Sequence, residues 1–339
     1  MAPDWLYTRD MRVVALSAAL LLPFAVSAQA LGGLDLLGGS PFSVSVEPQY
    51  PAPYGQASLS FTSTSIDLTR ATLTVTVNGK ETYKGPVHTI SVSLGKAGSV
   101  TKVKLSVSQG GSPVTQTISI QPEEVALIAE PIASVPPLYP GKASVPLEGQ
   151  VRVVAVAHLA DASGKAGGPS TYSYAWTVDG ARIADASGIG KSALIIDSPL
   201  QYRAREVSVV VTNSSGSLVG GDTVTLQPVD PVVRLYENDP LLGIRFDHAL
   251  LGRFSIADSE MTLYAAPFSL PTTSGAPTIQ WFLNGAAAQT GSSITLRPTG
   301  SGQGSAALSL TASAGQYTTA TANLSLIFGA KSGNNLFGL

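Results

Sequence analysis

The side chains that most often begin proton transfer or metal ligation are imidazoles, and this chain has three: His88, His158 and His248. They fall in three different stretches. His158 has Asp161 nearby and His248 follows Asp247, but metal sites need clustered donors, and no ligand spacing is present. All three read as strand or loop residues. Gly190-Lys191-Ser192 imitates the end of a phosphate loop. That motif requires a glycine at 185 and a helix afterwards; Asp185 stands there and a strand pattern follows, so the segment reads as a turn. Gly300, Gly302 and Gly304 alternate without the strand and helix that frame a dinucleotide site, and read as a loop.

Two compact acidic groups remain, Glu237-Asn238-Asp239 and Asp258-Ser259-Glu260. Glu237 and Asp239 could take part in a calcium site at a domain junction. Calcium asks for six or more oxygens, so a solvated loop is the preferred reading. Nothing marks a pair of carboxylates for glycoside hydrolysis. Asn213 and Asn323 match a glycosylation pattern but read as turn and strand residues. Cysteine is absent, which removes disulfides, thiol chemistry and cysteine-based metal sites. The expectation is therefore no catalytic residue, no metal and no cofactor, with the ligand-binding residues unknown.

The elements that carry these residues show a repeat. L-T-V-T-V-N-G ends at Gly79, Y-A-W-T-V-D-G at Gly180 and I-Q-W-F-L-N-G at Gly285. The intervals of roughly one hundred residues match one small domain. Asn-Gly and Asp-Gly favour the positive φ angles of a tight hairpin, so each motif is a core strand running into a turn. Trp176 and Trp281 hold equivalent places, where a bulky ring plugs the space between two sheets; Val75 stands there in the first copy. A second element recurs independently: the closing hairpins KLSVSQGGSPVTQTISI, VSVVVTNSSGSLVGGDTVTL and LSLTASAGQYTTATANLSLI.

Period-two alternation dominates the intervening chain, and no amphipathic helix of useful length interrupts it. Phe42, Val44 and Val46 alternate with Ser43, Ser45 and Glu47. Residues 131–141 carry four prolines and read as a lead-in or edge strand rather than core. The fold class expected is all-β: three tandem antiparallel immunoglobulin-like sandwiches, at 41–122, 123–228 and 229–328. An outer-membrane barrel would need aromatic belts, against an aromatic content of 7%.

The N-terminus carries an export pattern. Arg9 and Arg12 precede an apolar stretch at 13–26, and Ser27-Ala28-Gln29-Ala30 supplies small residues for cleavage. Residues 1–30 are expected to be a signal peptide, followed by a Gly-rich flexible arm at 31–40; 329–339 reads as a tail. An uncleaved signal would be the one membrane contact. The formal charge of −2, with no run of either sign, argues against nucleic acid.

Tyr174-Ala175-Trp176 ahead of Asp179-Gly180 resembles the strand and turn of bacterial exported proteins with tandem immunoglobulin-like or PKD-like domains. Val178 stands where the PKD turn has its first glycine, and Ile279 replaces the tyrosine in the third copy. The resemblance spans about 41–328, with the PKD-like character in 123–228. It implies a non-enzymatic structural or interaction protein of the cell envelope or surface. The alternatives are a carbohydrate- or protein-binding accessory module of a secreted or pilus-like assembly and, more distantly, a secreted hydrolase. Expected partners are protein or surface glycan. The expected location is periplasmic, cell-surface or extracellular. The Leu/Gly-rich termini are candidates for self-association by adding a strand to a neighbouring sheet.

Overall fold

The computed structural model describes residues 40–256, 260–299 and 303–329. The signal segment, nearly all of the arm and tail, and Asp258, Ser259, Gly300 and Gly302 lie outside them.

Alternating sequence becomes strand throughout. The first core is built from β1 (Ser43–Glu47), β2 (Gln56–Thr62), β3 (Thr72–Val77), β4 (Lys80–Pro86), β5 (Ile90–Ser93), β6 (Thr101–Ser108) and β7 (Val114–Ile120). They form two sheets, β1-β2-β5 and β4-β3-β6-β7. The second core has β8 (Glu124–Pro131), β9 (Gln150–His158), β10 (Ser173–Val178), β11 (Ala181–Arg182), β12 (Gly188–Ile189), β13 (Ala193–Asp197), β14 (Arg205–Thr212) and β15 (Val219–Leu226). Its sheets are β13-β9-β8 and β11-β10-β14-β15, with β12 also on β10. The third core has β16 (Val232–Asp239), β17 (Gly243–Ile244), β18 (Gly252–Ile256), β19 (Met261–Phe268), β20 (Thr278–Leu283), β21 (Ala286–Thr290), β22 (Ser293–Leu296), β23 (Gly304–Ala314) and β24 (Thr318–Phe328). Its sheets are β17-β16-β19-β22 and β18-β24-β23-β20-β21. The described helix is a single 3₁₀ turn at Pro169–Thr171.

Removing β12, β17 and β18 leaves one seven-strand order occurring three times, in the same chain sequence. A three-stranded sheet faces a four-stranded one across an apolar interior, the layering of an immunoglobulin-type sandwich. The pairing is antiparallel except at β18, which runs parallel to β24 from Gly252↔Leu324 to Ile256↔Phe328. Sequence alternation does not distinguish parallel from antiparallel pairing, so the direction of this strand is decided by the tertiary structure.

The repeated motif determines each sandwich to the residue. Val75, Trp176 and Trp281 lie opposite Leu105, Val209 and Leu310. All three motif residues are fully buried. The indole N–H of Trp176 donates to Lys191 O at 2.9 Å, and that of Trp281 to Gly291 O at 2.8 Å. The ring thus fills the core while its one polar atom is satisfied. In the first sandwich, Phe42, only 1% exposed, is the large ring of the core. The turns have positive φ at both central residues: 49° at Asn78, Asp179 and Asn284, and 86°, 80° and 81° at the glycines that follow. Each turn carboxamide or carboxylate also reaches across to the next strand of the sheet. Asn78 Oδ1 accepts Lys102 N–H, Asp179 Oδ1 accepts Glu206 N–H and Asn284 Oδ1 accepts Ala307 N–H, all at 2.9 Å. The backbone N–H of the same three residues donates to the carbonyl of the same three partners. One position, filled by Asn or Asp, therefore sets the turn and pins the register of the neighbouring strand.

Candidate functional site

The sequence-level candidates for chemistry do not converge. His88 lies between β4 and β5, with Nδ1 3.2 Å from Pro86 O and its ring edge-on to Tyr83. His158 ends β9 opposite Glu124. His248 contacts Asp247 at 3.0 Å in the third sandwich. Gly190 has φ +73° and donates its N–H to Tyr172 O, and strand β13 follows at Ala193. That is turn geometry without the helix a phosphate loop requires.

Glu237, Asp239 and Glu260 line one cleft of about 550 Å³. Two of the three carboxylates already have partners. Asp239 Oδ1 accepts Leu241 N–H at 2.7 Å and Leu242 N–H at 2.8 Å, and Glu260 holds Arg297 Nε at 2.6 Å. These backbone N–H groups, Leu242 first, lower the Asp239 pKa. No group of three ligand-type side chains that could hold a metal occurs among the described residues.

Geometry with consequences is found at the seams between sandwiches, at residues that sequence reasoning passed over. The connection from β7 to β8 carries Glu123, which is 6% exposed. Glu123 Oε2 accepts Ala160 N–H at 2.8 Å, and Oε1 accepts Gln121 Nε2 at 3.2 Å. Burial outweighs those two bonds and pushes its pKa up to about 7. Gly98, at φ +76°, stands against the same place, where a Cβ would run into the carbonyl oxygens of Ala160 and Asp161. Across the seam the ring of Tyr50 lies against Gly221 of β15, where a Cβ would come 2.6 Å from Tyr50 Cδ2.

Two straps join the second sandwich to the third. In one, the chain leaving β8 hydrogen-bonds to the segment after β19. Ser134 N–H donates to Leu270 O at 2.7 Å, Ser269 N–H to Ser134 O at 3.1 Å and Thr272 N–H to Ile132 O at 3.1 Å. Ser134 Oγ also accepts Leu270 N–H at 3.1 Å. The proline-rich stretch read as a lead-in is thus paired through Ser134. In the other, Glu148 clasps the turn between β23 and β24. Its Oε1 accepts Gln316 N–H at 2.8 Å, and its Oε2 accepts Tyr317 N–H and the Thr318 hydroxyl, both at 3.0 Å. Successive N–H groups make a small anion-binding nest. They hold the Glu148 pKa below its ordinary value, the Gln316 bond contributing most. Gly315 admits the carboxylate, since a Cβ there would lie 2.6 Å from Glu148 Oε2. Glutamate and glycine are ordinary at such places, and only the meeting of two distant segments reveals the clasp.

No protein-family model matches the chain, and no curated protein sequence matches it. Among solved structures, three N-terminal domains of the bacteriophage RB49 Highly Immunogenic Outer Capsid protein (Hoc) align at 12% identity, covering 86% of this chain and 100% of that one, with a TM-score of 0.25. The central fibronectin-III array of RIM-binding protein aligns at 11% identity over 85% of this chain and 97% of that one, with a TM-score of 0.28. The fibronectin(III)-like modules of Clostridium thermocellum CbhA align at 10% identity over 61% and 100%, with a TM-score of 0.22. Scores this low carry no argument about the partners of this chain.

Proposed function

We propose that the protein is a non-enzymatic, exported scaffold: three immunoglobulin-like modules that hold a binding or assembly surface at a set distance, in the periplasm, on the cell surface or outside the cell. The observation that carries this reading is the pair of straps between the second and third sandwiches. Domains joined by bare linkers move independently by default. Here Glu148 and Ser134 fasten one sandwich to the next by hydrogen bonds to backbone groups. Fixed spacing is useful to a spacer or presenter. The export pattern at 1–30 supports placing that role beyond the cytoplasm.

Small-angle scattering tests it. The wild-type chain should give a distance distribution with fixed spacing between modules, and Glu148→Ala a broader one. A wild-type distribution already that of independently moving modules would remove the scaffold reading.

A further inference from the structure

The four-stranded sheets end in corresponding strands β7, β15 and β24, and two of those three edges are covered. In the third sandwich, β18 extends the sheet as a parallel strand along β24. In the second, β15 is closed by β8: Asp222 Oδ2 accepts Leu127 N–H at 2.7 Å, and Gly220 admits Val125 and Glu123. In the first, β7 pairs with β6, and among the described residues no strand pairs with its other side. Among the described residues no other backbone or side-chain group bonds to the main chain of β7.

An open edge is a template for another strand, and proteins ordinarily block it with charge, proline, a bulge or brevity. Strand β7 has none of these. It reads Val-Thr-Gln-Thr-Ile-Ser-Ile, seven residues without a charge, a proline or a register shift. The edge at the other end of the same sheet is guarded: β4 carries Lys80, Glu81, Lys84 and Pro86, and a register shift.

Resting on the interaction-protein reading above, we propose that the outer edge of β7 accepts the C-terminal segment of a second copy, residues 332–339, as an added strand. Charge favours this segment. S-G-N-N-L-F-G-L has no charged side chain, whereas the N-terminal arm contains Asp35. Length places the donor in a second copy. Residues 329–339 follow β24 in the third sandwich. A strand as long as β18 takes five of them, and the rest reach at most about 20 Å. The second sandwich touches both the others, and a domain of this size is about 30 Å across. A tail from one copy in the first sandwich of the next is a heterologous contact, which builds a ring where the rotation between copies closes and an open chain of copies where it does not.

Sedimentation of the exported chain, recovered from expressing cells, tests this with two variants. One carries Thr115→Lys and Thr117→Lys, charges at exposed positions of β7; the other lacks residues 332–339. The wild type should form oligomers that grow with concentration. Each variant alone should sediment as a monomer with an unchanged melting temperature. Mixed, they should form a one-to-one dimer, because one keeps the donor and the other the acceptor. A wild type that stays monomeric, oligomers that survive either change, or a mixture that stays monomeric would each overturn the proposal. The scaffold reading is judged separately, by the scattering of the monomeric variant that lacks residues 332–339, with and without Glu148→Ala.

Discussion

Trp176 and Trp281 are the residues whose loss should be felt most, because each fills the space between two sheets and satisfies its indole N–H internally. Replacement of either by alanine should cost about 3–5 kcal/mol in its own sandwich, read from chemical denaturation. A variant that keeps its stability would mean that the ring is not a core element. Asn284 separates two effects in one position. Asn284→Gly keeps the positive φ but loses the bond to Ala307 N–H; Asn284→Ala also strains the turn and should be the less stable by about 1 kcal/mol. Glu123 makes stability depend on pH. Its folded pKa of about 7 is raised from an ordinary 4.5, so the folded state holds the proton more tightly. Its destabilising contribution is absent below pH 4.5, grows as pH rises and is complete above about 7. Glu123→Gln should therefore gain up to about 3 kcal/mol at alkaline pH and flatten the profile between those limits; an unchanged profile would dismiss Glu123 as its source.

At the scale of elements, the closing strands show how one topology receives three different edge treatments. They also change where the chain should be cut. A proline-rich stretch after β8 suggests an accessible connection, but backbone pairing continues through Ser134. The segment beyond it, with Leu138, Tyr139 and Lys142 exposed, lacks that protection. Proteases should therefore nick residues 135–142 and spare 124–134, which mass spectrometry of early fragments would show. Rapid cleavage within β8 would mean that the strap to Leu270 is not formed.

For the whole molecule, the clasp at Glu148 is the one of the two straps between the second and third sandwiches that contains a titratable group. Its pKa is depressed by the N–H groups that it accepts, so the clasp is in force above the ordinary glutamate value and is lost as pH falls through the lower folded value. Acid should broaden the scattering of the wild type, while Glu148→Gln should be insensitive to that change. Equal acid responses in the two proteins would place the control of spacing elsewhere.

Much of the fold was legible without coordinates. Alternation with period two, Asx-Gly turns and the recurrence of Trp176 and Trp281 are local signals, because strand faces and hairpin geometry depend on residues a few positions apart. They were enough to indicate antiparallel sandwiches with buried tryptophans. What they could not contain is the partner of a residue far away in the chain. Glu148 meets Gln316, Ser134 meets Leu270 and Asp222 meets Leu127 only after the sheets have stacked. Nothing in the composition of β7, β15 and β24 says which edge will be covered. Hydrogen bonding within a strand's own hairpin is decided by sequence neighbours; the fate of its other edge is decided by whatever the tertiary fold brings alongside it.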